Sequence, residues 1–201
     1  MNMKFEMFKP GETKLLPSMF KRRFELNRNY VMGLKNENLL RSFYMEAGLW
    51  QYAGKPKDCH WGWESPTCQV RGQFLGHWLS AAARIYLATG DEQARAKANH
   101  IVSELGRCQK ENGGEWAGPI PEKYLYWISK GKSVWAPQYV IHKTMMGLYE
   151  AYLLLDNEQA LNILDKWSAW FYRWIKSFTR DEIDDILDFE TGGMLEIWAG
   201  L

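Results

Sequence analysis

The chain has 201 residues, 46% of them apolar and 24% charged, which suits one packed domain and excludes a disordered polymer. Lys and Arg number 25 against 24 Asp and Glu, net +1, so no basic excess exists to track nucleic-acid phosphates or an anionic membrane surface. No apolar run approaches the ~18 residues of a membrane-spanning helix. The opening Met1-Asn2-Met3-Lys4-Phe5-Glu6 lacks the apolar core of a signal peptide, so a cytoplasmic location is the default expectation.

In chain order, the first helix is predicted over Leu15 to Leu34, with Leu16, Met19, Phe20, Phe24, Tyr30, Val31 and Leu34 at spacings near three and four. Pro17 and Ser18 suit its first turn. A short helix over Asn38 to Ala47 ends at Gly48. A loop holding Trp50, Trp61 and Trp63 follows, to about Cys68. Helical spacing returns from Gln69 to Thr89 and stops at Gly90; Asp91 then caps a helix to about Gln109. A second Gly/Pro-rich loop spans Glu111 to Gln138, with a short helix expected over Glu122 to Ser129. Tyr139 to Leu155 and Glu158 to Phe178 read as helices. A third loop, ending Thr191-Gly192-Gly193, leads into Met194 to Leu201. No strand-like alternation persists anywhere.

A weak repeat underlies this order. Ile85-Tyr86-Leu87 to Gln93-Ala94 resembles Ala151-Tyr152-Leu153 to Gln159-Ala160, at an offset of 66 residues (152 minus 86). In both copies a long helix turns tightly into a helix beginning Glu-Gln-Ala, and each hairpin follows a long aromatic-rich loop. Alternating short and long connections suit an α/α toroid, whose long loops gather at one end and build a site. The expected fold is therefore all-α, an incomplete (α/α)6 toroid of helical hairpins. Too few hairpins are present to close a ring of six, so residues 1–201 read as the N-terminal part of a longer barrel. Uncovered helix faces make self-association of the isolated chain an expectation.

The sequence holds 11 Trp, 10 Tyr and 9 Phe, side chains that fill cores and also stack on sugar rings. Cys59, Cys68 and Cys108 form no CxxC pair, and Cys59-His60 with Cys68 lacks an evident fourth zinc ligand, so no metal site is expected in this chain. Gln73 and His77 are four apart and share a helix face. His142 lies about one turn into its helix, beside Tyr139, and Glu196 follows Gly193 by a similar distance. A toroid would turn these residues towards one central pocket. Trp61-Gly62-Trp63-Glu64 combines indoles with a carboxylate, a pairing suited to a polyhydroxylated ligand. The candidate ligand-binding residues are Gln73, His77, His142, Glu196, Trp63, Glu64 and Tyr139. No spacing rule selects a catalytic carboxylate pair among Glu64, Glu115, Glu190 and Glu196. A non-catalytic carbohydrate-binding toroid and a helical interaction module remain alternative readings.

Gly-Gln-Phe-Leu-Gly-His-Trp-Leu-Ser-Ala (72 to 81), Trp-Ala-Pro-Gln-Tyr-Val-Ile-His-Lys (135 to 143) and Glu-Thr-Gly-Gly-Met-Leu-Glu (190 to 196) resemble landmarks of the β-L-arabinofuranosidase-type glycoside hydrolases, family 127 and relatives. Gly-Trp-Glu at 62 to 64 and Leu15-Leu16-Pro17-Ser18 fit too. The resemblance implies an (α/α)6 barrel followed by β-sandwich material, a carbohydrate substrate with a non-reducing-end β-L-arabinofuranoside, a cysteine nucleophile on zinc and a glutamate acid/base. No cysteine follows Cys108, so zinc is expected in a full-length member and no cofactor in this chain, which alone would be inactive. Where relatives often carry His after Arg-Gly, this chain has Gln73, which hydrogen-bonds but does not titrate.

Overall fold

The computed structural model describes residues 8–9, 11–190 and 193–201; the Met1 to Glu6 opening and the Thr191-Gly192 pair of the third landmark lie outside them. Ten α-helices occur among the described residues: α1 (Met19–Gly33), α2 (Asn36–Leu39), α3 (Arg41–Glu46), α4 (Gln73–Thr89), α5 (Glu92–Glu111), α6 (Lys123–Ile128), α7 (Pro137–Leu155), α8 (Glu158–Lys176), α9 (Arg180–Phe189) and α10 (Met194–Gly200). No described residue forms a strand, and no helix is long and apolar enough to cross a membrane.

The helix ends follow local chemistry. Ser18 accepts from the Lys21 N–H, Asp91 from those of Gln93 and Ala94, and Asn157 from that of Ala160. The 66-residue repeat recurs in the hairpin joints. Gly90 (φ 70°) and Asp156 (φ 54°) both take the left-handed conformation, and each is followed by its Asx cap. Two readings are corrected. The single helix over Asn38 to Ala47 is two short ones, α2 and α3, broken at Leu40. The third loop contains α9, started by a capping box in which Thr179 and Glu182 each satisfy the other's backbone N–H.

Side by side, α4, α7 and α10 form one layer, and α5 and α8 pack on α4 and α7 as a second layer and touch each other. The first layer is parallel throughout. Contacts between α4 and α7, with the segments leading into them, keep a constant offset of 66: Gln69 to Trp135, Gln73 to Tyr139 and Arg84 to Glu150. Gly193 meets His142 and Gly200 meets Tyr149, a constant offset of 51 (193 minus 142, 200 minus 149). Parallel inner helices with antiparallel outer partners are the arrangement of an α/α toroid. Two glycines set the α4–α7 spacing. A Cβ on Gly76 would overlap the Lys143 carbonyl, and one on Gly147 would lie 2.7 Å from the Gly76 carbonyl oxygen.

The core lies between the layers, built from Leu75, Leu79 and Ala82 of α4, Ala98, Ile101 and Leu105 of α5, Ile141 and Leu148 of α7, and Leu164 and Trp167 of α8. Most aromatics serve it: Trp116, Trp167, Trp170, Phe171 and Trp174 form one contiguous set of tilted, edge-on and stacked rings. To this body α1 is fastened by polar contacts. Trp78 donates to the Val31 carbonyl at 2.8 Å, Arg28 pairs with Asp91 at 2.7 Å, and the Lys97 ammonium caps the Met32 and Leu34 carbonyls. An apolar groove of about 720 Å3, lined by Phe171, Trp174, Ile175, Ile183, Met194 and Trp198 among others, separates α8, α9 and α10.

Candidate functional site

Because α4, α7 and α10 are parallel, their N-termini share one end of the layer, and the long loops gather there. Two partly buried carboxylates fix that end. Both oxygens of Glu64 accept backbone N–H groups at the start of α4, from Gly72 at 2.7 Å and Phe74 at 3.0 Å. Both oxygens of Glu190 do the same for α7, from Gln138 at 2.8 Å and Tyr139 at 2.9 Å. The Gln138 amide also donates to the Glu190 carbonyl at 2.6 Å. Each carboxylate satisfies orphan donors and sits at the positive end of a helix dipole. Burial pushes both carboxyls up, and their backbone hydrogen bonds pull them partly back. Neither Glu64 nor Glu190 is free to act as a glycosidase acid or nucleophile without uncapping a helix. Glu115 is held in an ion pair with Arg173.

Between the capped helix ends runs a polar rung. The Tyr139 hydroxyl donates to Gln73 Oε1 at 3.2 Å and lies 3.3 Å from His77 Nε2. Gln73 is buried and His77 exposed, so the rung leads from the packed interface outwards. Lys143 lies over the Tyr139 ring at 5.2 Å. His142 is 5% exposed, and its Nε2 has no hydrogen-bond partner among the described residues. Glu196 Oε2 stands 3.7 Å away, beyond hydrogen-bond range, on a side chain that is 70% exposed. Gly193 presses on the imidazole, and a Cβ there would come within 2.5 Å of its Cε1. Trp63 sits on the Gly62–Glu64 turn with its indole outside.

The seven sequence candidates therefore occupy one end of the layer. Gln73, Tyr139 and His77 form one hydrogen-bonded set, and His142 and Glu196 face each other across the α7–α10 contact. Glu64 holds the start of α4, and Trp63 lies beside it. Glu190, Gln69 and Trp135 take positions that sequence reasoning did not assign. Pro137 was the available signal for Glu190: proline supplies no N–H at the first helical position, so the two N–H groups after it need an outside acceptor.

Partial desolvation lowers the pKa of His60, His77 and His142; for the latter two the Lys143 cation adds to it, and for His142 His77 does as well, against Glu196. Below the ordinary histidine value of about 6.5 the unfolded chain binds protons that the folded chain refuses, so these groups lose folded-state stability as pH falls. The carboxyls of Glu46, Glu64 and Glu190, partly buried and pushed up by desolvation, act in the opposite sense at lower pH. Comparison with His142→Gln isolates the histidine. Urea melts from pH 7.5 to 5 should show the wild type losing ground to the variant as pH falls, by at most about 1.4 kcal/mol per pH unit. A pH-independent difference would contradict the neutral, buried imidazole.

Residues 12–201 match the β-L-arabinofuranosidase, GH127 catalytic domain family. The chain belongs to that family. No curated protein matches it significantly. Membership makes this GH127 chain glycoside hydrolase material with a carbohydrate substrate, and the all-helical layered fold agrees with the family's barrel. Among the described residues no three His, Cys, Asp or Glu side chains are grouped to hold a metal. Cys108 is buried, and burial pushes its thiol up to about 12.

Proposed function

We propose that this chain supplies a sugar-binding wall of a glycoside hydrolase acting on non-reducing-end β-L-arabinofuranosides. The observation that carries the reading is the conjunction, at the capped ends of α4 and α7, of the Gln73–Tyr139–His77 rung and the unpartnered Nε2 of His142. A buried imidazole nitrogen without a partner is costly, and a sugar hydroxyl satisfies it. With burial keeping His142 neutral, the nitrogen can donate or accept according to its tautomer. Gln73 and His77 hold the Tyr139 hydroxyl in one orientation, so a ligand hydroxyl meets a fixed polar edge. Gln73 cannot titrate, so its own part in the rung is orientation and not proton transfer. Glu64 and Glu190 act through the backbone they cap, and Glu196 lines the open side next to His142.

Ligand-observed NMR titration tests this. Methyl β-L-arabinofuranoside should bind saturably, its D-enantiomer should not, and Tyr139→Phe should weaken binding by roughly 5- to 10-fold, the worth of about one hydrogen bond. Equal binding of both enantiomers, or none by either, would overturn the assignment.

A further inference from the structure

Two indoles at the same end of the layer remain outside the core. Trp63 is 62% exposed and Trp135 is 53% exposed, yet they come from different loops and meet edge-to-face, with ring centroids 6.0 Å apart and planes at 89°. Both sit on anchored backbone. The turn that carries Trp63 is pinned by the neighbouring Glu64 carboxylate on the start of α4. The Trp135 N–H donates to Gln69 Oε1 at 2.8 Å, and Ala136 behind it is held at φ 47°, a conformation that costs a non-glycine residue energy. Pro137 then fixes the entry into α7.

The position of the pair is informative. Gln69–Trp135 and Gln73–Tyr139 are successive cross-links at the same 66-residue offset, the first joining the segments that lead into α4 and α7 and the second joining the first turns of the two helices. The indoles therefore belong to the loops that precede the rung on both helices, at the end of the layer where the next sugar of a chain would leave a terminal one held at the rung. A perpendicular pair of flat apolar faces suits the C–H face of a sugar ring, and fixed aromatic groups bind without paying for their own ordering.

We infer that Trp63 and Trp135 form a stacking corner for the sugar residue next to the one held at Gln73, Tyr139 and His142. The substrate class is then a β-L-arabinofuranosyl-terminated oligosaccharide, with affinity shared between two adjoining rings. This rests on the sugar-binding reading of the wall proposed above.

The test compares methyl β-L-arabinofuranoside with a panel of β-L-arabinofuranosyl disaccharides of differing linkage, titrated into the wild-type chain, Trp135→Ala, Trp135→Phe and His142→Ala. At least one disaccharide should bind about 10-fold tighter than the methyl glycoside, the scale of one aromatic contact. Trp135→Ala should collapse that ratio towards one, and Trp135→Phe should keep part of it. His142→Ala should weaken both ligands and preserve the ratio. If the methyl glycoside binds and no disaccharide gains on it, the stacking corner is overturned and the wall stands. A ratio unchanged in Trp135→Ala overturns it as well. If neither ligand binds, the wall reading fails and the corner fails with it.

Discussion

Gly76→Ala should lower the melting temperature by roughly 10 °C or more. Gly76 sits where α4 crosses α7, and a methyl group there has nowhere to go, because the obstacle is the Lys143 backbone carbonyl and not a side chain that can turn aside. Gly147 faces the same crossing from α7, so neither helix can yield by shifting along the other. Overpacking that moves backbone costs about 3 kcal/mol or more, and at roughly 2–4 °C per kcal/mol for a domain of this size the melt moves by about that amount. The crossing also sets the distance between Gln73 on α4 and Tyr139 on α7, so sugar binding should weaken in the same variant. Gly33→Ala is the control: at the last residue of α1 the added methyl meets open space, and the change should be neutral or slightly stabilising. A Gly76→Ala melt within 2 °C or so of wild type would mean that the layer is not close-packed at this point.

In an intact enzyme that includes this chain, His142→Ala should lower kcat/KM on a β-L-arabinofuranoside by roughly 30- to 1000-fold, which corresponds to about 2–4 kcal/mol of transition-state stabilisation. The melting temperature should move little by comparison. The imidazole is buried, but its Nε2 is unsatisfied, so its removal relieves a desolvation penalty that offsets part of the lost packing. A core histidine would give the reverse pattern, unchanged turnover with a melt lowered by several degrees. Glu196→Gln helps to separate the cases. Glu196 stands 3.7 Å from the ring and is mostly exposed, so it should affect activity and leave stability alone.

The helices were legible wherever local chemistry decides. Asp91 and Asn157 announce the outer helices because their side chains cap the next turn without help from the rest of the fold. The 66-residue repeat was legible because one hairpin joint was used twice. α9 was missed although Thr179 and Glu182 spell a capping box, because its apolar positions are few and Ile186 is its one buried residue. The break at Leu40 between α2 and α3 has no Gly or Pro to mark it.

At the site, the residue types came from the sequence and the partnerships from the fold. Gln73 and His77 share a helix face by spacing alone, and the hydrogen-bonding capacity of Tyr139 is intrinsic to its side chain. That one hydroxyl serves both partners depends on α4 and α7 running parallel at glycine-set contact distance, which no local rule contains. Glu64 and Glu190 show the same division. As sequence they are two carboxylates among 24 acidic residues, open to catalysis. In the folded chain both oxygens of each are taken by backbone N–H groups 8–10 residues downstream and 51–52 residues upstream respectively. Trp63 and Trp135 come together only because their loops begin or end on adjacent helices. Propensity, caps and repeats are properties of neighbours in the chain, whereas burial, orphaned nitrogens and paired indoles depend on which surfaces the packed helices bring face to face.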